Sequence, residues 1–238
     1  DWLDTKAPSL PRFLKKSGYA TAHYGKWHLA NDMIPDSPFP SAYGYDDYGS
    51  YNCAGPQMFV HDDVKSAIPF MKKSKESGKP FFINLWIHEP HTPFHVDPKL
   101  QKLFPDLPEA DNIYAATLYH ADLRIGQLLD ALDEMKISDN TLVIFSSDNG
   151  PARGSPNSPI ALSYDSATGP GYGIGAAKGI TGGRRAFKGA LMEGGIGVPF
   201  IARWPGKISA GKVDKTSVLS AVDLLPTFCE LGNVKLPK

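Results

Sequence analysis

Apolar and polar positions along this chain fall into blocks that predict helices and strands in turn. Leu10, Phe13 and Leu14, with Lys15 and Lys16 outside them and Gly18 behind, predict a short amphipathic helix over Leu10–Gly18. Tyr19–Tyr24 is small and β-prone and predicts a strand running into Gly25-Lys26-Trp27-His28-Leu29. Residues 31–61 mix aromatics, prolines and glycines without a sustained period, which predicts a long shaped loop. Asp62-Asp63 opens a helix to about Ser77, its acids at the positive end of the dipole and Pro69 set to kink it or shift its start. Pro80–Ile87 is an apolar strand that runs into His88-Glu89-Pro90-His91-Thr92-Pro93. Asp111–Met135 carries Leu118, Ala121, Ile125, Leu128, Leu132 and Met135 as one apolar helical stripe.

Leu142-Val143-Ile144-Phe145 then reads as a strand buried on both faces, stopping in Ser146-Ser147-Asp148-Asn149-Gly150-Pro151. Residues 152–189 are rich in glycine, serine and proline and carry Arg153, Lys178, Arg184, Arg185 and Lys188, too long a stretch for a neutral connection. Val198–Trp204 predicts another strand, and Ser217–Leu231 a last helix with Val218, Ala221, Val222, Leu225 and Phe228 inward and Pro226 bending it.

Strands alternating with helices define an α/β fold, a mainly parallel sheet sandwiched by helices. Neither a repeat nor a linker divides the chain, so residues 1–238 read as part of one domain. If the strands are parallel, their polar ends (Lys26 and His28, His88 and His91, Asp148 and Asn149) share one edge, the usual ligand crevice of such sheets. A carboxylate beside an amide oxygen suits a hard cation, Ca2+ or Mg2+, although an Asp-Asn-Gly turn is the plain alternative.

Composition adds limits. The formal net charge is zero, from 25 Lys+Arg and 25 Asp+Glu, which gives no bulk electrostatic footprint for nucleic acid. Any anion recognition must therefore come from a few placed cations. Cys53 and Cys229 are too few for a disulfide framework, and whether they pair is left open. No apolar run reaches membrane-spanning length. His88-Glu89-Pro90-His91 is not the zinc-protease helix motif, since its second histidine comes a residue early and proline opposes a helix. Gly171-Tyr172-Gly173-Ile174-Gly175 lacks a strand-to-helix context and reads as a loop. Neither a phosphate loop nor a serine elbow occurs.

These blocks resemble the type I sulfatases of the alkaline-phosphatase superfamily. Gly25-Lys26-Trp27-His28-Leu29 is similar to the family's Gly-Lys-Trp-His-Leu-Gly segment, with Ala30 in place of the last glycine. His91, two before Pro93, matches its sulfate-contacting histidine, and Ser147-Asp148-Asn149-Gly150 resembles its metal-binding pair. Phe187-Lys188-Gly189, Glu193-Gly194-Gly195-Ile196, Val198-Pro199 and Trp204-Pro205-Gly206 resemble its later blocks, in order. The resemblance implies a sulfuric ester hydrolase acting on a sulfated small molecule or glycan by means of a formylglycine hydrate. It implies Asp148 and Asn149 as ligands of a divalent cation, Ca2+ ahead of Mg2+. Lys26 and Lys188 would neutralise sulfate oxygens, His91 would bind sulfate and protonate the leaving oxygen, and His28 would contact the formylglycine. It also implies work outside the cytoplasm, in periplasm, lysosome or secretion.

The chain departs from the pattern in places. No Cys-x-Pro-x-Arg or Ser-x-Pro-x-Arg segment precedes the Lys26 block, the N-terminal Asp-Asp ligands are missing, and Gly197 stands where the family usually has arginine. The expectation is therefore the central part of a sulfatase catalytic domain, incomplete at both ends and inactive alone. A phosphate or phosphonate monoesterase of the same superfamily, or a non-catalytic protein binding sulfated ligands, are the alternatives.

Overall fold

The computed structural model describes residues 2–29, 36–51, 58–154, 157–165 and 168–234. Ala30 and Cys53 lie outside them. The chain divides into two compact units, Asp1–His88 with Val213–Lys238, and Glu89–Lys212.

The first unit is built on a parallel sheet of β1 (Ala20–Lys26), β2 (Asp47–Tyr51) and β3 (Phe81–Trp86), in the order β2-β1-β3. Ala22 pairs with Asp47 and Ala20 with Phe81, so β1 is the central strand. Helices cover both faces. Tyr24 meets Phe70 of α2 (Asp63–Glu76), while Phe82 meets Phe228 of α6 (Leu224–Leu231). The helix α1 (Leu10–Lys16) packs against β1 and α6. Trp27, Tyr43 and Tyr45 form a buried aromatic cluster beyond the end of β1. Burying side chains of this size contributes roughly 1.5–3 kcal/mol each.

In the second unit the long helix α4 (Glu109–Glu134) follows the short α3 (Pro98–Gln101). Phe94, Ile113 and Ala176 form its core, and Phe94 exchanges two 2.9 Å backbone hydrogen bonds with Tyr172. The strands β5 (Leu162–Asp165) and β6 (Gly169–Tyr172) form an antiparallel pair. So do β4 (Val143–Ser146) and β7 (Phe200–Arg203). The four-residue helix α5 (Glu193–Ile196) precedes β7.

The parallel sheet, its helices and most of the predicted elements match the sequence reading; five details do not. Residues 31–61 are not all loop, because Asp47–Tyr51 pairs with β1. This stretch, Asp-Tyr-Gly-Ser-Tyr, has no apolar alternation, and the neighbouring strand supplies what its composition lacks. Gly171 belongs to β6 rather than a loop, held through the Phe94–Tyr172 bonds. On α4 the predicted stripe keeps Ala121, Leu132 and Met135 buried, but its first member Leu118 is 42% exposed, and Arg124, outside the stripe, turns inward toward Glu89. β4 pairs antiparallel with β7, and Phe145 is 43% exposed instead of buried on both faces. An apolar run records residue type, whereas burial depends on which layers lie over the strand. The last helix starts late, at Leu224, with Val218 and Val222 exposed. Ser220 and Asp223 form a capping box on the 3-10 turn Ala221–Asp223 that leads into the helix, and Pro226 falls in the helix's first turn, where its missing N–H is not needed.

Candidate active site

Two half-sites carry the predicted residues, one in each unit. In the first, parallel pairing brings the carboxyl ends of β1, β2 and β3 to one edge, as expected for Lys26, His28 and His88. Trp27 is fully buried, and it anchors the turn between the half-buried Lys26 and the exposed His28. The turn is also held from within the sheet. His23, inside an aromatic cage of Trp27, Tyr45 and Trp86, donates from Nε2 to the carbonyl of Lys26 at 3.0 Å. A carbonyl only accepts, so Nε2 carries the proton. Burial pushes the His23 pKa down from 6.5 to about 4, keeping the ring neutral. His88 is buried, with its ring edge-on to Tyr51 at 5.9 Å, which makes it a packed residue of this edge.

In the second unit a backbone clasp joins stretches far apart in sequence. Gly150 N donates to Gly195 O at 2.7 Å, Lys188 N to Pro151 O at 3.0 Å and Gly194 N to Arg185 O at 2.8 Å. A Cβ on Gly150 would lie 2.0 Å from Gly194 O, and one on Gly194 would lie 2.0 Å from Ala186 O, so only glycine permits this approach. The clasp sets the backbone of Lys188 beside Pro151, at the end of the turn that carries Asp148 and Asn149. The Asp148 carboxylate and the Lys188 side chain are exposed, while Asn149 donates through Nδ2 to Gly150 O at 2.9 Å. Its Oδ1 receives no hydrogen bond among the described residues. One carboxylate and one amide oxygen on neighbouring residues form a hard donor pair, which fits a divalent cation.

His91 lies in the segment that opens this unit. Its Nδ1 donates to Thr92 O at 2.5 Å, so the neutral ring bears its lone pair on Nε2. The segment is fixed at both ends, by Phe94 on Tyr172 and by Glu89, whose Oε2 takes a 2.5 Å ion pair from Arg124 Nη2 of α4. Both side chains of that pair are almost wholly buried. One ligand atom of His120, a turn before Arg124, lies within 4.8 Å of one on Glu89. The sequence reading missed Glu89, His120, Arg124 and His23. The spacing of His120 and Arg124, four apart on one helix face, was the available sign. Cys229 is a buried free thiol, its pKa raised by burial.

Residues 3–234 match the sulfatase family, and the chain belongs to it. The chain is 27% identical over 284 residues to arylsulfatase G of Rattus norvegicus, covering 99% of this chain and 51% of the relative. It is 28% identical over 269 residues to N-acetylgalactosamine-6-sulfatase of Canis lupus familiaris, covering 96% of this chain and 45% of that one. The crystal structure of Ps i-CgsB in complex with k-i-k-neocarrahexaose superposes with a TM-score of 0.79 at 25% identity, covering 100% of this chain and 56% of that chain. The chain thus spans about half the length of the relatives it matches. Membership implies a divalent cation. Among the described residues no helix is long and apolar enough to cross a membrane.

Proposed function

We propose that the whole protein is a sulfuric ester hydrolase that cleaves a sulfate monoester of a sulfated glycan outside the cytoplasm. Residues 1–238 would be the central part of its catalytic domain. The observation that carries this reading is the clasp, with Gly150 N on Gly195 O at 2.7 Å and Lys188 N on Pro151 O at 3.0 Å. It joins the segments that carry a carboxylate, an amide and a lysine, the groups needed to grip a cation and a tetrahedral anion. A glycan substrate is supported by the relative N-acetylgalactosamine-6-sulfatase and by the neocarrahexaose in complex with Ps i-CgsB.

In this reading Asp148 and Asn149 hold the cation, Ca2+ in preference to Mg2+ because neighbouring oxygen donors on a turn suit its flexible coordination. When bound, such an ion withdraws charge from the sulfate oxygens. The formylglycine nucleophile belongs to a part of the protein outside residues 1–238. Lys26 and Lys188 place ammonium groups against the oxygens on which negative charge builds, the term that dominates transfers of this kind. His91 contacts sulfate and, in the form protonated at Nε2 as well as Nδ1, delivers the Nε2 proton to the departing oxygen, and His28 takes up the proton whose removal releases sulfate.

The test is hydrolysis by the purified full-length protein, with 4-nitrophenyl sulfate and 4-nitrophenyl phosphate compared side by side. Turnover of the sulfate, lowered about 100-fold or more by Lys26→Ala or Lys188→Ala, is expected. Preference for the phosphate would make the protein a phosphate or phosphonate monoesterase. Binding of sulfated saccharides without any turnover would make it a non-catalytic binder, and undiminished activity in both variants would remove the assigned roles.

A further inference from the structure

Residues 151–189 hold five cationic side chains, Arg153, Lys178, Arg184, Arg185 and Lys188, against one acid, Asp165, in a chain whose overall charge is zero. Lys178 pairs with Asp111 at 3.5 Å. Arg153, Arg184, Arg185 and Lys188 are exposed and, among the described residues, take part in no ion pair. Four of these five cations are thus left without an ion pair among the described residues, in segments that the clasp joins.

The arginines are also arranged. The Arg153 guanidinium sits over the Phe187 ring, 5.3 Å from its centroid, next in sequence to Lys188. Such stacking occupies one face of the group and leaves its N–H edge for an anion. The Arg184 side chain lies across Gly197, with Cδ 3.3 Å and Nε 3.4 Å from where a Cβ on that glycine would stand. Its backbone is fixed by a closed turn, Arg184 N donating to Thr181 O at 3.2 Å and Thr181 Oγ1 to Arg184 O at 2.8 Å. The Arg185 carbonyl accepts from Gly194, inside the clasp itself. Ala186, at φ 67, then turns the chain between Arg185 and Phe187.

We propose that Arg153, Arg184 and Arg185 form an anion subsite adjoining Lys188, which binds a second sulfate or carboxylate on the same oligosaccharide as the ester. The proposal rests on the sulfate-ester reading of Asp148, Asn149 and Lys188 and names the substrate class more closely, as a glycan with at least two anionic groups. Arginine suits this task because its planar fork meets sulfate or carboxylate through two parallel hydrogen bonds. The neutral chain as a whole offers no long-range field for a nucleic acid, which favours a short anionic ligand held by a few placed groups.

Calorimetric binding to the full-length protein tests it, with glucosamine 2-N,6-O-disulfate and glucosamine 6-O-sulfate as probes. The wild type should bind the disulfated probe about 10-fold or more tightly than the monosulfated one. In Arg184→Ala/Arg185→Ala the ratio should fall toward one, and Arg184→Lys/Arg185→Lys should restore part of it. Arg153→Ala, a surface change on a stacked side chain, serves the same purpose if the double variant unfolds. Equal wild-type affinity for the two probes, or an unchanged ratio in the variants, overturns the subsite. Turnover of 4-nitrophenyl sulfate, measured separately, reports on the sulfatase reading whichever way the ratio falls.

Discussion

His23 donates through Nε2 to the backbone carbonyl of Lys26 at 3.0 Å, so a buried neutral ring supports the turn that presents the lysine. Its pKa is pushed down to about 4 from an ordinary 6.5. Between these values the unfolded chain holds a proton that the folded chain does not. Stability is therefore fully present above pH 6.5 and declines as the pH falls toward 4. The expected loss is on the order of 3 kcal/mol across the window, at no more than about 1.4 kcal/mol per pH unit. Denaturant unfolding of wild type and His23→Gln at several pH values would show this slope. If the variant keeps the full slope, another group is responsible.

Glu89 and Arg124 form the buried charge pair of the second unit, at 2.5 Å. Removing one partner leaves the other charge buried, so Glu89→Ala or Arg124→Ala should destabilise by roughly 3–5 kcal/mol. Replacing both, as in Glu89→Leu/Arg124→Met, should cost much less than the sum of the single changes. Thermal unfolding of the three variants decides the matter; single losses below about 1 kcal/mol would show that the pair is dispensable.

Gly150→Ala places a carbon 2.0 Å from Gly194 O. Relief of that clash must open the clasp, with overpacking strain of about 1–3 kcal/mol. Turnover of a sulfate ester by the full-length enzyme should drop at least about 10-fold, since displacement by even an ångström has that effect. Activity at the wild-type level would mean that the clasp does not align the catalytic groups.

Chelation should abolish turnover by the full-length protein, and added Ca2+ should restore it. Asp148→Ala should raise the calcium dissociation constant by about 10-fold or more, measured by titration calorimetry, because a carboxylate is lost from the donor set. Full activity after exhaustive chelation would remove the cation from the reaction.

The fold was largely legible in the sequence, for reasons visible in individual elements. Periodicity marked α4, and apolar runs marked β3 and β4. β2 escaped because Asp-Tyr-Gly-Ser-Tyr has no alternating pattern, its pairing with β1 being a tertiary effect. The direction of β4 escaped because an apolar run does not say which strand will lie beside it. Of the candidate site, Asp148, Asn149 and Lys188 were proposed through family resemblance, but the backbone contact between their segments was not foreseen. It consists of backbone groups that every residue possesses, and only the glycines betray it. Glu89 and Arg124 were hidden for another reason, since charged residues usually face water.

The bond between Lys188 and Pro151 also has an evolutionary consequence. The stretch between them is tied down at Tyr172 and Arg185, so lengthening the loops between those ties need not move the chemistry at its base. Closing a longer loop is cheap, about 0.6 kcal/mol for each doubling of length. In the proposed reading, selection for new sugars acts on those loops while the reaction is inherited intact.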